Sequence, residues 1–188
     1  MPENNSQYDV IVIGAGVAGL YQLYKLRQLK LKVLVIEAGD NVGGTWYWNR
    51  YPGARFDSES WSYGYSFSRD LFEEWDWPEH FAAQTDTLRY LNYVADKFDL
   101  RRDINFNRRV KAALFNEKTN FWTVRTDTNE SFEARFLITA MGPLSAFTLP
   151  NIEGREMFEG PAYHTARWPL EKVDFSGKRV GIIWTGAC

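Results

Sequence analysis

The amino-acid sequence contains a glycine-rich turn whose residue types suit the binding of a dinucleotide. Its sequence is Gly14-Ala15-Gly16-Val17-Ala18-Gly19, directly after an apolar stretch, and Glu37 closes the next apolar stretch. In such a turn the first glycine permits a tight bend, the second lets a pyrophosphate approach the backbone, and the third lets the following helix pack on the sheet. The helix amino terminus would donate amide hydrogens to the pyrophosphate. Glu37 would accept hydrogen bonds from ribose hydroxyls and repel a 2′-phosphate, which favours FAD or NAD over NADP at this turn.

A glycine pair, Gly43-Gly44, follows the second apolar stretch and precedes Thr45-Trp46-Tyr47-Trp48. This segment resembles the one that flavoproteins with two dinucleotide-binding domains use to run past the FAD pyrophosphate and ribityl chain, so we expect FAD rather than NAD. In the disulfide reductases of that group, redox cysteines follow the glycine pair. The single cysteine of this chain is Cys188, so thiol–disulfide chemistry is excluded.

The glycine-rich turn needs a strand before it and a helix after it, and the sequence predicts both. Residues 8–13 form the β-branched apolar run that is typical of a buried parallel strand. Apolar residues from 17 to 29 recur with a helical period, and residues 31–36 form a second buried-type strand. Strand, helix and strand in this order make a βαβ unit with a right-handed crossover. The predicted fold class is therefore α/β, a Rossmann-type FAD-binding domain.

Further along the chain the sequence predicts a small β-meander, a linker and the first strand of a second dinucleotide-binding domain. No period holds over residues 38–72, and such a long aperiodic stretch is usually functional. A helix is predicted over 86–98, with Thr85 or Asp86 as its N-cap. The remaining predicted strands are the meander at 110–115, 122–126 and 132–136, a buried strand at 136–140, and a fresh strand at 178–183.

Composition excludes several classes of function. Lys and Arg number 22 against 24 Asp and Glu, a near balance that removes the basic surface expected of a nucleic-acid binder. With one cysteine, and with His80 and His164 far apart, we expect no metal site. Aromatic residues make up 16% of the chain and cluster between Trp46 and Trp77, which predicts an aromatic wall that packs against something flat.

The sequence also predicts a cytoplasmic location without membrane insertion. The amino terminus is polar and acidic, unlike a signal peptide. The longest apolar stretch, residues 10–20, is too short and too rich in glycine to span a bilayer.

Two longer motifs carry a specific resemblance. The first runs from Gly43 to Arg55 as GGTWYWNRYPGAR, and the second, from Phe158 to Pro169, matches F-x-G-x-x-x-H-T-x-x-W-P in full. We call residues 158–169 the signature segment. On these motifs the chain resembles the amino-terminal portion of a Baeyer–Villiger monooxygenase, a class B flavoprotein monooxygenase similar to the cyclohexanone and phenylacetone monooxygenases. The resemblance covers essentially the whole chain.

This resemblance implies FAD, NADPH and O2, with a ketone as the substrate that becomes an ester or lactone. The FAD-binding residues that it implies are Gly14, Ala15, Gly16, Gly19, Glu37, Gly44, Thr45, Trp46, Tyr47, Trp48, Asp57, Tyr63 and Val110. Arg55, Phe56 and Asp57 would lie where the nicotinamide end of NADP passes. Thr185 and Gly186 belong to a second glycine-rich turn, at which Trp184 replaces the first glycine of the family pattern. An indole there would crowd the phosphate path, so this turn is a weaker NADP site than the family pattern implies.

Asp57 is the catalytic candidate. In the family this aspartate pairs with an arginine that stabilises the negative charge developing during oxygen transfer, and that arginine comes from a later part of the polypeptide. The alternative is that Asp57 only caps a helix or sits in a loop. For His164 the resemblance implies a conformational role in the linker rather than direct catalysis.

The predicted organisation is a FAD-binding domain at 1–145, an inter-domain linker with the signature segment at 146–176, and the start of a truncated NADP-binding domain at 177–188. We therefore expect the remainder of the polypeptide to be missing and these 188 residues alone to be inactive. Two alternatives stay open: a class B monooxygenase that oxygenates nitrogen or sulfur, and an inactive flavin-binding fragment.

Overall fold

A six-stranded sheet organises the protein in the computed structural model, which describes residues 6–183. Its strands are β1 (Ser6–Ile13), β2 (Val33–Ile36), β3 (Ile104–Asn105), β4 (Val110–Asn116), β5 (Phe121–Thr126) and β6 (Ser131–Thr139), in the order β3-β2-β1-β6-β5-β4. The first four in that order run parallel, whereas β6, β5 and β4 pair antiparallel. The predicted α/β class is confirmed, and the carboxyl ends of β1, β2, β3 and β6 share one edge of the sheet.

Five helices and three 3₁₀ turns connect and cover these strands within the described residues. The helices are α1 (Val17–Gln28), α2 (Thr45–Trp48), α3 (Ser60–Tyr63), α4 (Arg69–Glu74) and α5 (Gln84–Lys97), and the 3₁₀ turns are Arg101–Asp103, Arg155–Met157 and Thr165–Arg167. The predicted N-cap of α5 is wrong: the helix begins earlier, after Ala83, whose side chain offers no cap. None of the helices in residues 6–183 is long and apolar enough to cross a membrane.

The core lies on both faces of the sheet because residues in a strand alternate between faces. From β1, Val10 and Val12 pack on one face with Leu20 and Leu23 of α1 and with α5. Ile11 faces the other way and packs with residues of β5 and β6. Both faces of β1 are therefore covered, as its apolar sequence predicts.

Two predictions about strands need correction. The third meander strand and the buried strand at 136–140 are one continuous strand, β6, which pairs with β1 through residues 132–139 and with β5 through its first half. Its second half is only partly covered, and Phe136 is exposed. The strand predicted at 178–183 is absent, because no described strand lies beside these residues and a strand exists only where its backbone finds a partner.

The aromatic residues between Trp46 and Trp77 pack mainly on one another and on α1 and α5. Tyr24 of α1 stacks on Phe67 at 4.3 Å, and Trp75 and Trp77 contact Tyr90 of α5 at 5.1 and 4.9 Å between ring centroids. Offset and edge-to-face contacts at these separations are favourable beyond the burial of area. In the described residues, the flat surfaces against which this wall packs are therefore other aromatic rings.

Candidate functional site

The glycine-rich turn is closed by backbone contacts that leave no room for side chains. Gly14 has φ +101°, and its amide donates to the carbonyl oxygen of Ile36 at 2.9 Å. A Cβ at Gly14 would lie 2.9 Å from the carbonyl oxygen of Ala140, and one at Gly19 would lie 1.9 Å from that of Gly14. The turn thus needs glycine at both positions, as the sequence predicts.

The glycine-pair loop, residues 40–44, lies directly against this turn. The Gly43 amide donates to the Ala15 carbonyl oxygen at 3.0 Å. A Cβ at Gly16 would approach the Cα of Gly44 to 3.2 Å, and one at Gly44 would approach the Cα of Gly16 to 2.8 Å. Two bare stretches of backbone therefore meet where the sequence predicts that a pyrophosphate passes.

Electrostatics at the turn favour an anion. Gly16 is the N-cap of α1 and provides no side-chain cap, and the first turn of the helix holds no acidic residue. The amide groups at a helix amino terminus carry a partial positive charge that attracts negative groups. The positive end of α1 thus lies beside the meeting point of the two glycine loops.

Glu37 holds the ends of β1 and β2 together. Its side chain is only 4% exposed. One carboxylate oxygen accepts a hydrogen bond from the Ala15 amide at 2.7 Å, and the other accepts from the Gly39 amide at 2.7 Å. An ionised carboxylate offers about four acceptor positions, so two are not used by these backbone amides. The structure thus gives Glu37 a bracing role that the sequence did not predict.

Val110, one of the residues that the resemblance implies for FAD binding, begins β4. The Arg108 amide donates to the Glu37 carbonyl oxygen at 2.9 Å, which brings residues 108–110 to this edge of the sheet. Val110 itself is half-buried and pairs in register with Thr126. Gly142, on the far side of the turn after β6, lies close to Thr45, since a Cβ there would be 3.8 Å from the Thr45 hydroxyl oxygen.

The three aromatic residues of α2 lie in different surroundings. Trp46 is buried in the core at 7% exposure. The Tyr47 hydroxyl donates to Asp40 at 2.8 Å, and its ring packs beside Gly39. Trp48 faces the guanidinium of Arg167, which lies 5.5 Å from its ring.

Trp46, Phe56 and Tyr63 form one packed trio. The Trp46 indole donates to the Tyr63 hydroxyl at 2.7 Å, and the rings of Phe56 and Tyr63 stack at 4.4 Å with 9° between their planes. Phe56 is 5% exposed, whereas Tyr63 is half-buried. Tyr63 is therefore the member of the trio that has accessible surface.

Buried tyrosines tie this aromatic region to α1. The Tyr65 hydroxyl donates to the Val17 carbonyl oxygen at 2.6 Å, and the Tyr65 amide donates to the Tyr90 hydroxyl at 2.7 Å. Burial raises the pKa of Tyr90 to about 12 and raises the pKa of Tyr65 further. Burial also raises the pKa of Tyr63, against the opposing effect of the Trp46 hydrogen bond. All three hydroxyls thus stay protonated at neutral pH.

Asp57 is exposed, and its carboxylate makes no hydrogen bond or ion pair with residues 6–183. It is not a helix cap, because α3 begins after Glu59. Arg55, two residues earlier, is also exposed, and its guanidinium donates to Glu79 and to the Phe81 carbonyl oxygen, both at 2.7 Å. Arg55 is therefore already paired, whereas the Asp57 carboxylate is free, within residues 6–183, to pair with a positively charged group.

The signature segment lies mostly on the surface, and its Arg167 contacts Trp48 of α2. His164 accepts a hydrogen bond from the Ala166 amide at 3.1 Å and packs on Phe147 at 4.7 Å. Arg167 lies between Phe147, at 4.9 Å, and Trp48. Thr185 and Gly186, together with Trp184, lie outside the described residues.

Sequence reasoning missed the residues that support the site from a distance. Arg101 donates to Asn41 in the glycine-pair loop, although the two are 60 positions apart in sequence. Within residues 6–183, no group of three or more His, Cys, Asp or Glu side chains is suited to hold a metal ion.

The fold and the joined glycine loops define a dinucleotide-binding oxidoreductase domain. The chain belongs to the pyridine nucleotide-disulphide oxidoreductase family, whose sequence model matches residues 11–185. Despite that name, this chain has a single cysteine and none beside the glycine pair.

The relatives narrow this class to monooxygenases, and the predicted resemblance to Baeyer–Villiger monooxygenases is confirmed. The chain is 51% identical to 2-oxo-Δ3-4,5,5-trimethylcyclopentenylacetyl-CoA monooxygenase of Pseudomonas putida over 95% of its length and 34% of the relative. It is 46% identical to cyclopentanone 1,2-monooxygenase of a Comamonas species, over 97% of this chain and 33% of the relative. A phenazine N-monooxygenase of Lysobacter antibioticus is 45% identical, over 98% of this chain and 34% of the relative. The chain thus spans about a third of the length of these relatives.

Solved structures of monooxygenases also superpose closely on this chain. A steroid monooxygenase bound to NADP superposes with a TM-score of 0.86 at 53% identity, covering 92% of this chain and 33% of that one. OTEMO in complex with FAD and NADP gives a TM-score of 0.90 at 49% identity, covering 97% of this chain and 36% of that one.

Proposed function

We propose that this chain is the FAD-binding part of an FAD- and NADPH-dependent Baeyer–Villiger monooxygenase, which inserts one oxygen atom from O2 next to a ketone carbonyl. The observation that carries the proposal is the meeting of two bare backbone stretches, at Gly16 and Gly44, beside the uncapped start of α1. A side chain at either glycine would fill the space that a pyrophosphate needs. Relatives that include an acetone monooxygenase and a cyclohexanone 1,2-monooxygenase support the reaction class.

In this proposal the chain binds and orients FAD. The amides at the start of α1 hold the pyrophosphate, the two unused acceptor positions of Glu37 hold the ribose, and the backbone at Val110 contacts the adenine. The segment from Thr45 to Trp48, with Tyr63 and Asp57, would hold the flavin end of the cofactor, with the buried Trp46 supporting its neighbours. When bound, FAD supplies the chemistry that transfers oxygen, and the protein supplies position, charge and the exclusion of water.

NADPH would approach near Arg55, Phe56 and Asp57. Of these three, Arg55 and Asp57 are exposed, whereas Phe56 is buried and would act by supporting its neighbours. Thr185 and Gly186 would contact the NADP phosphates, with Trp184 reducing the space available.

The first test identifies what the purified protein holds. Denaturation should release FAD, since Glu37 and the glycine loops suit a dinucleotide, and release of FMN alone or of no flavin would contradict the proposal. Gly16→Val should abolish flavin retention because its side chain would occupy the path of the pyrophosphate. Gly181→Val is the matched control: among the described residues, a Cβ at Gly181 meets nothing within 4 Å, so FAD should remain.

Asp57 would keep a catalytic arginine from the rest of the polypeptide oriented, as its exposed and unpaired carboxylate allows. Asp57→Ala in the full-length enzyme should leave FAD bound and lower the oxygenation rate by roughly 10²- to 10³-fold, the usual loss for one preorganised electrostatic contact. Steady-state turnover beside a thermal melt tests this, and near-normal turnover would remove Asp57 from the active site.

A second candidate function, oxygenation of nitrogen, is favoured by the phenazine N-monooxygenase relative, whose identity to this chain is similar to that of the ketone-oxidising relatives. Assays of the full-length polypeptide with cyclic ketones and with aromatic N-heterocycles would separate the two.

From the sequence we also propose a division into a FAD-binding domain (1–145), a linker (146–176) and the start of an NADP-binding domain (177–188). The sequence likewise supports a cytoplasmic location.

A further inference from the structure

The glycine-pair loop needs an external support to keep its shape. Gly43 and Gly44 both have positive φ, +130° and +54°, and glycine loses more conformational freedom on folding than any other residue. The loop is also tightly placed, because a Cβ at Gly43 would lie 2.6 Å from a methyl carbon of Leu88. A small displacement of this loop would therefore change its contact with Gly16.

Asn41 is the point at which another part of the chain holds this loop. Its side-chain oxygen accepts a hydrogen bond from the Val42 amide at 2.8 Å, which fixes the bend before the glycine pair. The same oxygen accepts from Nη1 of Arg101 at 2.9 Å. Hydrogen bonds from a charged donor are roughly twice as strong as neutral ones, so Arg101 is the stronger partner.

Arg101 is itself fixed by α5. Its Nε donates to Asp96 at 2.6 Å, and its Nη2 donates to the side-chain oxygen of Asn92 at 2.5 Å. Asn92 in turn donates to the Leu88 carbonyl oxygen at 2.8 Å. The rigid guanidinium fork thus joins the last turns of α5 to the glycine-pair loop, a task for which lysine lacks the geometry.

We propose that Arg101 is a positioning residue for the flavin pyrophosphate, holding the glycine-pair loop against the Gly16 turn through Asn41 without touching the ligand. The inference rests on the proposed function, since it assigns the loop to FAD. It predicts that affinity for FAD depends on a side chain that belongs to neither glycine motif.

The test compares Arg101→Ala with Arg102→Ala in flavin-free protein titrated with FAD, following the quenching of flavin fluorescence. Arg102 is the matched control, since among residues 6–183 its guanidinium pairs with Asp99 at 2.9 Å and Asp103 at 3.7 Å and does not reach the glycine-pair loop. Arg101→Ala should raise the Kd for FAD about tenfold or more, the consequence of losing one charged hydrogen bond to the loop, whereas Arg102→Ala should leave it unchanged. Equal Kd values for the two variants would overturn the proposal.

Asn41→Ala provides a second, independent variant that leaves Arg101 attached to α5 and serves also if Arg101→Ala does not fold. It should weaken FAD binding at least as much as Arg101→Ala, because it also removes the hydrogen bond from the Val42 amide. The double variant should bind FAD no more weakly than Asn41→Ala alone. A lower melting temperature with an unchanged Kd would mean that Arg101 has a structural role only and would overturn the proposal. Failure of the unsubstituted protein to bind FAD would instead overturn the proposed function.

Discussion

The glycine-rich turn after β1 and the signature segment are held in the molecule in different ways. The turn is enclosed by backbone from three strand ends, and its partner Glu37 is buried. The signature segment is mostly exposed: Phe158 presents 66% of its surface, and Arg167 provides the ring contacts to α2. Both motifs are recognised by the spacing of particular residues along the sequence. In the glycine-rich turn, the spaced glycines make close contacts with other described residues. A motif can therefore identify a family without revealing what its residues touch.

The largest expected effect comes from adding one carbon atom at the third glycine of the turn. In Gly19→Ala, the new Cβ would lie 1.9 Å from the Gly14 carbonyl oxygen, so α1 must move away from the sheet. We expect a loss of about 3 kcal/mol or more in the free energy of unfolding, measured by denaturant titration. Gly181→Ala adds the same carbon atom where no described residue lies within 4 Å, and it should have no effect. Similar stabilities of the two variants would show that the turn is not tightly enclosed.

A smaller loss is expected from Glu37→Gln. The amide group of glutamine can accept from only one of the two backbone amides and would turn a donor toward the other. Leaving one buried donor unsatisfied costs about 1–3 kcal/mol, measurable by denaturant titration of flavin-free protein. Glu117→Gln, at an exposed position, is the control. An unchanged stability would mean that Glu37 serves only a ligand and does not brace the turn.

The smallest effect is expected in the signature segment. Arg167→Ala removes an exposed guanidinium from the faces of Trp48 and Phe147, and such cation–π contacts are worth about 0.5–1 kcal/mol each at exposed sites. We expect a loss of about 1 kcal/mol in stability with flavin retention unchanged, and no loss in Arg179→Ala. A loss of stability as large as that of Gly19→Ala would show that the signature segment is held as tightly as the glycine-rich turn.

The glycine-rich turn could be predicted from the sequence, whereas the tertiary contacts around it could not. The roles of Gly14 and Gly19 could be predicted because a bend and a close approach depend on nearby backbone. The continuity of β6 could not, since an apolar run does not show whether one strand or two will find partners. The bracing by Glu37 and the reach of Arg101 to Asn41 depend on tertiary contacts between distant positions, for which the sequence has no local pattern.

The place of β6 beside β1 has a consequence for the order in which the protein folds. β1 ends at Ile13, yet its pairing with β6 waits for residues 132–139, and the bond from the Ala140 amide to Ile13 waits for residue 140. Pairings between distant parts of a chain form slowly because a long loop must close first. On the ribosome, the glycine-rich turn would therefore remain open on one side until residue 140 has emerged. A flavin could be captured only after that point.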